Sequence, residues 1–327
     1  MRKRAKKAAG YGGCKLLITN YDMLKFRRIF YIFSGALVCV SIIALALFGL
    51  NLGIDFTGGT LIEIKIDRGL TQGITALHIE RLLENSKDLK LGDVRVQPSG
   101  DNFIIRLREL NKLEREGILK VLQDEIKSPL TQERFESIGP IIGKELKRKA
   151  LWQLATVCIG ILLYVAWAFR KVSRLKEKSN LSWKFGAVAL IALVHDCLIT
   201  IGIFALLGKF LGVEIDSSFI AAILLILGYS VNDTIVVFDR IRENMITHRF
   251  AYKLDDIINT SVAQTSVRSL TTSATTIVVL FAILLFGGQS TFFFVLALII
   301  GIGIGTYSSI FLASPLLYEW EKSKLKV

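Results

Sequence analysis

The sequence predicts an α-helical integral membrane protein with six transmembrane helices and one α+β domain of ferredoxin-like (βαββαβ) order between the first and second. Three observations carry this. Of 327 residues, 52% are hydrophobic and 21% charged, with a mean hydropathy of +0.50, which is too apolar for an ordinary water-soluble chain of this size. Six runs reach the roughly 18 residues that a helix needs to cross a bilayer. The only sizeable polar stretch is residues 55–149, between the first two runs.

The runs are 30–52, 151–169, 185–207, 219–238, 269–287 and 292–313. In domain terms, 1–29 is a basic N-terminal segment, 30–52 the first helix, 53–149 the polar domain, 150–313 the other five helices, and 314–327 a tail. The first run follows basic residues and contains an Ala44-Leu45-Ala46 triplet, as a signal peptide would. It outlasts a signal h-region and continues past that triplet, so it is predicted to stay as an anchor.

Short loops rich in Lys and Arg remain on the cytoplasmic side. Nine such residues precede the first run, six lie between the second and third, four between the fourth and fifth, and three follow the sixth. The connections 208–218 and 288–291 hold one between them, Lys209. Both termini are therefore predicted to be cytoplasmic and the polar domain extracytoplasmic. The same distribution accounts for the net charge of +13 without a nucleic-acid partner.

Within the polar domain, Thr60 to Ile66 alternates, with Ile62, Ile64 and Ile66 on one face and Glu63 and Lys65 on the other, as a half-buried strand does. A helix is predicted over 72–85, with Thr71 as its N-cap and Ile74, Leu77 and Leu82 at helical spacing. Strands over 93–97 and 102–107 flank a Pro98-Ser99-Gly100 turn, and a helix over 112–126 and a strand over 133–138 complete the order. Glycines at the entry (Gly53, Gly58, Gly59) and exit (Gly139, Gly143) suggest a junction on which the domain tilts as a unit.

Several chemistries are excluded. Three of the four cysteines (Cys39, Cys158, Cys197) lie in apolar runs, which rules out a disulfide framework. The three histidines accompany no metal-ligand spacing. There is no Walker A loop, no G-x-S-x-G and no carboxylate pair in a soluble pocket, so neither an enzyme nor a cofactor is expected.

What remains is a set of ionisable residues inside the slab. Asp233 stands five residues before the end of the fourth run, about 8 Å deep. An unpaired aspartate there costs at least about 2.5 kcal/mol, so it either handles an ion or bonds helices together. Ser230 and Asn232 crowd the same region. Arg268 opens the fifth run, and Thr271, Thr272, Thr275 and Thr276 follow on its face. Such a stripe suits a neighbouring helix or a wet path better than lipid, and Arg268 lies deep enough to pair with Asp233 or to snorkel to headgroups. His195 and Asp196 form a second cluster; adjacent residues point to different faces, so neighbours from other helices are needed to join them. The candidate ion-coupling set is Asp233, Arg268, Asp196, Thr271, Thr272 and Thr275. Gly301, Gly303 and Gly305 read as a packing ridge, inside the bundle or against a partner.

Four segments, GIDFTGGT (Gly53 to Thr60), HD (His195, Asp196), GYSVNDTIVVFDRIREN (Gly228 to Asn244) and RSLTTS (Arg268 to Ser273), together resemble the SecF family of protein-export membrane proteins. The likeness runs from about Tyr21 to Glu319, and GIDFTGGT alone is shared with the sister family SecD. The resemblance implies membership of the resistance-nodulation-division superfamily in the bacterial cell (inner) membrane, beside SecD and the SecYEG channel. It implies use of the proton motive force to draw unfolded preproteins out of the channel after the ATPase SecA has begun the work. It assigns Asp233 to the family's helix-four aspartate implicated in proton conduction, and Arg268 to its helix-five arginine. A carboxylate among hydroxyls suits a proton or a sodium ion. The competing readings are half of a small-molecule exporter of that superfamily, and a non-conducting scaffold.

Overall fold

The structure, a computed structural model, describes residues 22–66, 74–85, 91–92, 94–99, 102–126, 130–170, 181–247 and 253–325. The basic extension 1–15, the Thr71 cap and Gly100 of the expected turn lie outside the described residues.

Among the described residues, six helices are long and apolar enough to cross a membrane: Met23–Phe48, Pro140–Ala168, Ser182–Leu211, Ser217–Thr247, Leu254–Phe286 and Ser290–Lys322. They correspond one to one with the six runs, and each is longer than its run. An apolar run measures the slab, whereas a helix continues wherever one face stays buried. The fifth begins at Leu254 because Ile257, Ile258, Ser261 and Val262 already pack inward. Arg268 thus lies near the middle of that helix and does not open it. The second begins at Pro140, a residue suited to the first helical turn because its missing N–H would have no partner there.

At the end of the bundle away from the polar domain, Phe169, Phe185 and Phe238 interlock, with Phe169 and Phe185 stacked at 4.8 Å. A buried ion pair, Lys184 Nζ to Glu321 Oε2 at 2.5 Å, ties the start of the third span to the tail.

The polar domain is a four-stranded antiparallel sheet of β1 (Gly59–Ile66), β2 (Arg95–Ser99), β3 (Asn102–Leu107) and β4 (Leu130–Ile138), in the order β2-β3-β1-β4. Helix Ala76–Asn85 follows β1 and helix Lys112–Ile126 follows β3. Ile62, Ile64 and Ile66 face these helices as their alternation predicts. The first helix presents a different stripe from the expected one: Ile79 and Leu83 are buried, while Leu77 is 55% exposed. Both sets have helical spacing, and packing on the sheet selects between them. β2 extends through Pro98, which pairs with Phe103. A proline is tolerated there because β2 is an edge strand.

The domain is fastened to the outer end of the bundle. Gly53 N donates to Ile215 O at 2.8 Å and Ile215 N donates to Asn51 O at 2.8 Å, joining the first span's exit to the connection between the third and fourth. Asp55 Oδ2 accepts from Ser217 N at 2.7 Å, which places a carboxylate on the N-terminus of the fourth span, where the helix dipole favours it. Arg106 Nε of β3 lies 2.7 Å from Glu214 Oε2, both side chains 15% exposed, and Arg106 Nη1 donates to Gln97 Oε1 at 2.8 Å.

Two of the junction glycines serve close approach. Gly58 (φ 77°) and Gly59 (φ 133°) take backbone angles that other residues rarely adopt. A Cβ on them would come within 2.8 Å of Pro140 Cα and 2.7 Å of the Leu107 carbonyl oxygen. They permit the close packing of the domain's entry against the second span and the end of β3.

The sheet face carrying Glu63, Arg106 and Arg134 is separated from Phe292 and Phe293 by a cavity of about 460 Å³. Docking therefore depends on the rim contacts, and a pH dependence follows. Burial pushes the Glu214 carboxyl above the usual range, against the pull of Arg106, and pushes the Arg106 guanidinium down, against the pull of Glu214. A carboxyl raised in the docked state supports docking fully below its free value, and that support is lost as pH rises through the raised value. Arg106→Gln removes the compensating charge. Limited proteolysis or hydrogen exchange of the sheet domain should then show undocking favoured by about 2 to 3 kcal/mol at about pH 8 and little change at about pH 4. Equal protection at both pH values would refute the latch.

Candidate ion-coupling site

Among the described residues, two carboxylates are buried within the apolar runs of the bundle: Asp196 is 0% and Asp233 7% exposed. Charge in such a place must be met by hydrogen bonds. Asp196 Oδ2 accepts from Ser230 Oγ at 2.5 Å and from Ser308 Oγ at 2.8 Å, and its Oδ1 lies 2.9 Å from His195 Nδ1. The two neighbours in sequence thus bond directly, because the imidazole is long enough to reach across the step between helix faces. His195 Nε2 is buried without a partner. Asp233 Oδ2 accepts a short hydrogen bond from Ser309 Oγ. The hydroxyl of Ser269 faces the same carboxyl but makes no bond of normal geometry. Behind these, Thr306 Oγ1 donates to Ser273 Oγ at 2.6 Å, linking the fifth and sixth spans.

Two glycines make this possible. A Cβ at Gly301 would lie 2.2 Å from Ile226 Cδ1, and one at Gly305 3.0 Å from Ser230 Cβ and 3.5 Å from Asp196 Oδ2. The sixth helix therefore lies directly on the fourth. Gly303, two residues out of phase, meets nothing within 4 Å and takes no part in the ridge. Just past this contact the sixth helix widens into a π turn, Ser309–Ala313. Such turns recur at functional sites.

The other predicted residues lie elsewhere. Arg268, Thr271, Thr272, Thr275 and Asn232 are exposed on the outside of the bundle, and Thr276 is half-buried beside Tyr229, whose hydroxyl lies 3.2 Å from its own. Among the described residues Arg268 makes no ion pair and does not meet Asp233. The threonine hydroxyls are not wasted on that face, since each bonds a carbonyl of its own helix: Thr271 to Val267 O at 2.7 Å, Thr272 to Arg268 O at 2.9 Å, and Thr275 to Thr272 O at 2.9 Å. The stripe by itself therefore demands no partner. The inward face of the fifth helix is instead Ser261, Thr265, Ser266, Ser269 and Ser273. Sequence reasoning missed Ser269, Ser308 and Ser309; the only available signal was a run of small hydroxyl residues within apolar helices.

Residues 118–323 match the family described as protein export membrane protein SecD/SecF, C-terminal, and residues 43–69 match the SecD/SecF GG motif. The chain belongs to the SecD/SecF family. Its relatives include the protein translocase subunit SecF of Thermobaculum terrenum, 40% identical over 313 residues, covering 92% of this chain and 94% of that one. That of Sebaldella termitidis is 37% identical over 307 residues, with 93% of each covered. The crystal structure of SecDF, a translocon-associated membrane protein from Thermus, superposes with a TM-score of 0.80 at 30% identity. The match covers 94% of this chain but 40% of that one, so the chain spans well under half of the SecDF polypeptide. Six apolar helices together with these relatives make it a multi-pass bacterial membrane protein. The family's GG motif contains Gly58 and Gly59, whose close packing against Pro140 and Leu107 is described above.

Proposed function

We propose that this SecD/SecF-family chain is a non-enzymatic accessory subunit of the Sec translocation machinery. It uses ion movement past Asp233 and Asp196, driven by the proton motive force, to help complete preprotein translocation through SecYEG after SecA has acted. The observation that carries this reading is the pair of buried carboxylates served by hydroxyls of the fourth and sixth spans. A passive scaffold has no use for ionisable groups so deep in an apolar bundle.

The reading also includes a SecD-type second half. Arg268 and the threonine face lie on the outside of this bundle, and an arginine at that depth without a counter-charge is costly in lipid. A facing bundle that supplies a carboxylate removes that cost and completes the ion path at the seam. The matched SecDF chain, of which this chain corresponds to 40%, is consistent with a two-half machine. We assign the polar domain to the ferredoxin-like pattern, supported by its strand order with a helix after β1 and after β3. The Lys and Arg distribution supports cytoplasmic termini and an extracytoplasmic domain.

Placing a cysteine at Thr272 tests the two-half reading. In membranes containing the SecD-type partner, it should form a disulfide or short bifunctional crosslink with cysteines scanned along one partner helix. A cysteine at Val278, exposed on the same helix and further along it, is an internal comparison for depth. Crosslinking of Thr272→Cys to lipid-analogue probes only, with none to the partner, would refute the assignment of this face.

A further inference from the structure

Ser308 and Ser309 are adjacent, both are 0% exposed, and they divide between the two buried carboxylates. Ser308 Oγ donates to Asp196 Oδ2 on the third span at 2.8 Å, and Ser309 Oγ donates to Asp233 Oδ2 on the fourth. The π turn begins between them, at Ser309. It places the sixth helix at the seam of the other two, and Ser314 Oγ closes it on the Ser309 carbonyl at 3.3 Å. The two carboxylates are unequally served. Asp196 keeps Ser230 and His195 if Ser308 is lost, whereas among the described residues Ser309 is the one hydroxyl aligned on Asp233.

The charged and titratable groups on the surrounding elements are few. The third span contributes His195, Asp196 and the free thiol of Cys197, and the fourth contributes Tyr229, one turn from Asp233. The sixth contributes Tyr307, whose hydroxyl is 3.1 Å from that of Ser34 on the first span. The fifth contributes no buried charge, because Arg268 faces outward. The hydroxyl donors therefore govern how readily each carboxylate holds a negative charge.

We infer that Ser309 is the positioning residue that holds Asp233 in its ionised form, and that Ser308 does the same for Asp196, so that the start of the π turn assigns one hydroxyl to each carboxylate. This rests on the reading that Asp233 carries the coupling ion. A hydroxyl donating to a carboxylate stabilises the ionised form, and losing the donor favours the protonated one.

A hydrophobic carbodiimide modifies buried carboxyls only when they are protonated, so it reads each residue separately. The full chain, in membranes with its second half, would be treated across about pH 5 to 9 and modification at Asp233 and Asp196 measured by peptide mass spectrometry. Ser309→Ala should extend modification of Asp233 to more alkaline pH by about one unit, a tenfold change in proton affinity, with Asp196 unchanged. Ser308→Ala should move Asp196 by less and leave Asp233 alone. Ser309→Thr, which retains the hydroxyl, should restore the wild-type profile. If Ser309→Ala fails to insert, Ser309→Cys, with its weaker donor, should shift Asp233 in the same direction by a smaller amount. An unchanged Asp233 profile, or equal movement of both carboxyls in either variant, overturns the inference. Normal export by Asp233→Asn would instead defeat the ion-carrier reading itself. Loss of export in Asp233→Asn with no effect of Ser309→Ala would defeat the positioning role alone.

Discussion

Asp233→Asn should insert and assemble normally yet lose export driven by the proton motive force. The amide has the size of the carboxyl and can still accept from Ser309 Oγ, so the contact between the fourth and sixth spans persists. What it cannot do is alternate between a neutral, protonated form and an ionised one. Burial opposes the ionised form while the Ser309 hydroxyl favours it. A change in this partnering between two arrangements of the helices would bind a proton in one and release it in the other, which is the differential interaction a coupled switch requires. Release of a translocating preprotein from membrane vesicles, with and without an imposed gradient, measures the effect. The expected result is loss of the gradient-dependent part by at least about tenfold, with partner association unchanged. Gradient-dependent release at the wild-type level would end the ion-carrier reading and favour the scaffold.

The second large effect is structural. Gly301→Leu should break the contact between the fourth and sixth spans. Even a Cβ would lie within 2.2 to 2.8 Å of three side-chain atoms of Ile226, which is itself 0% exposed and, being β-branched, has little rotamer freedom. Overpacking of this kind costs about 1 to 3 kcal/mol when neighbours can adjust, and more when two rigid helices must separate. Because Ser230, Ser308 and Ser309 converge on the carboxylates just beyond this contact, their bonds would be lost together with the packing. Gly303→Leu is the control, since a Cβ there has nothing within 4 Å. Thermal unfolding in detergent should show a marked drop for Gly301→Leu, near-wild-type behaviour for Gly303→Leu, and partial recovery of Gly301→Leu by Ile226→Ala, which vacates the space. Equal stability of the two leucine variants would mean that the spans do not approach as described.

Some of this protein was legible because a single local property decided it. Membrane crossing depends on the summed hydrophobicity of about 20 consecutive residues, so all six spans could be counted. The sheet core at Ile62, Ile64 and Ile66 follows from the two-residue period of a strand, which allows only two faces and gives one of them to the polar residues. Asp233 and Asp196 stood out because a carboxyl in an apolar run is conspicuous whatever surrounds it.

Tertiary structure decided which way each helix faces. A helix offers several candidate stripes at compatible spacing, and only the neighbours choose among them. Thus Leu77 turned outward and Ile79 inward, and the conspicuous Arg268 and Thr271–Thr275 face went to the outside of the bundle while serines at 261, 266, 269 and 273 took the inside. The threonines misled because a hydroxyl in a helix can bond its own preceding turn and needs no neighbour. Ser308 and Ser309 were invisible for the complementary reason: a small hydroxyl becomes a carboxylate's partner only when a glycine-mediated approach and a widened turn bring it there. Burial is a sum along the chain and can be read from it; partnership is a relation between distant segments and appears only when they are packed.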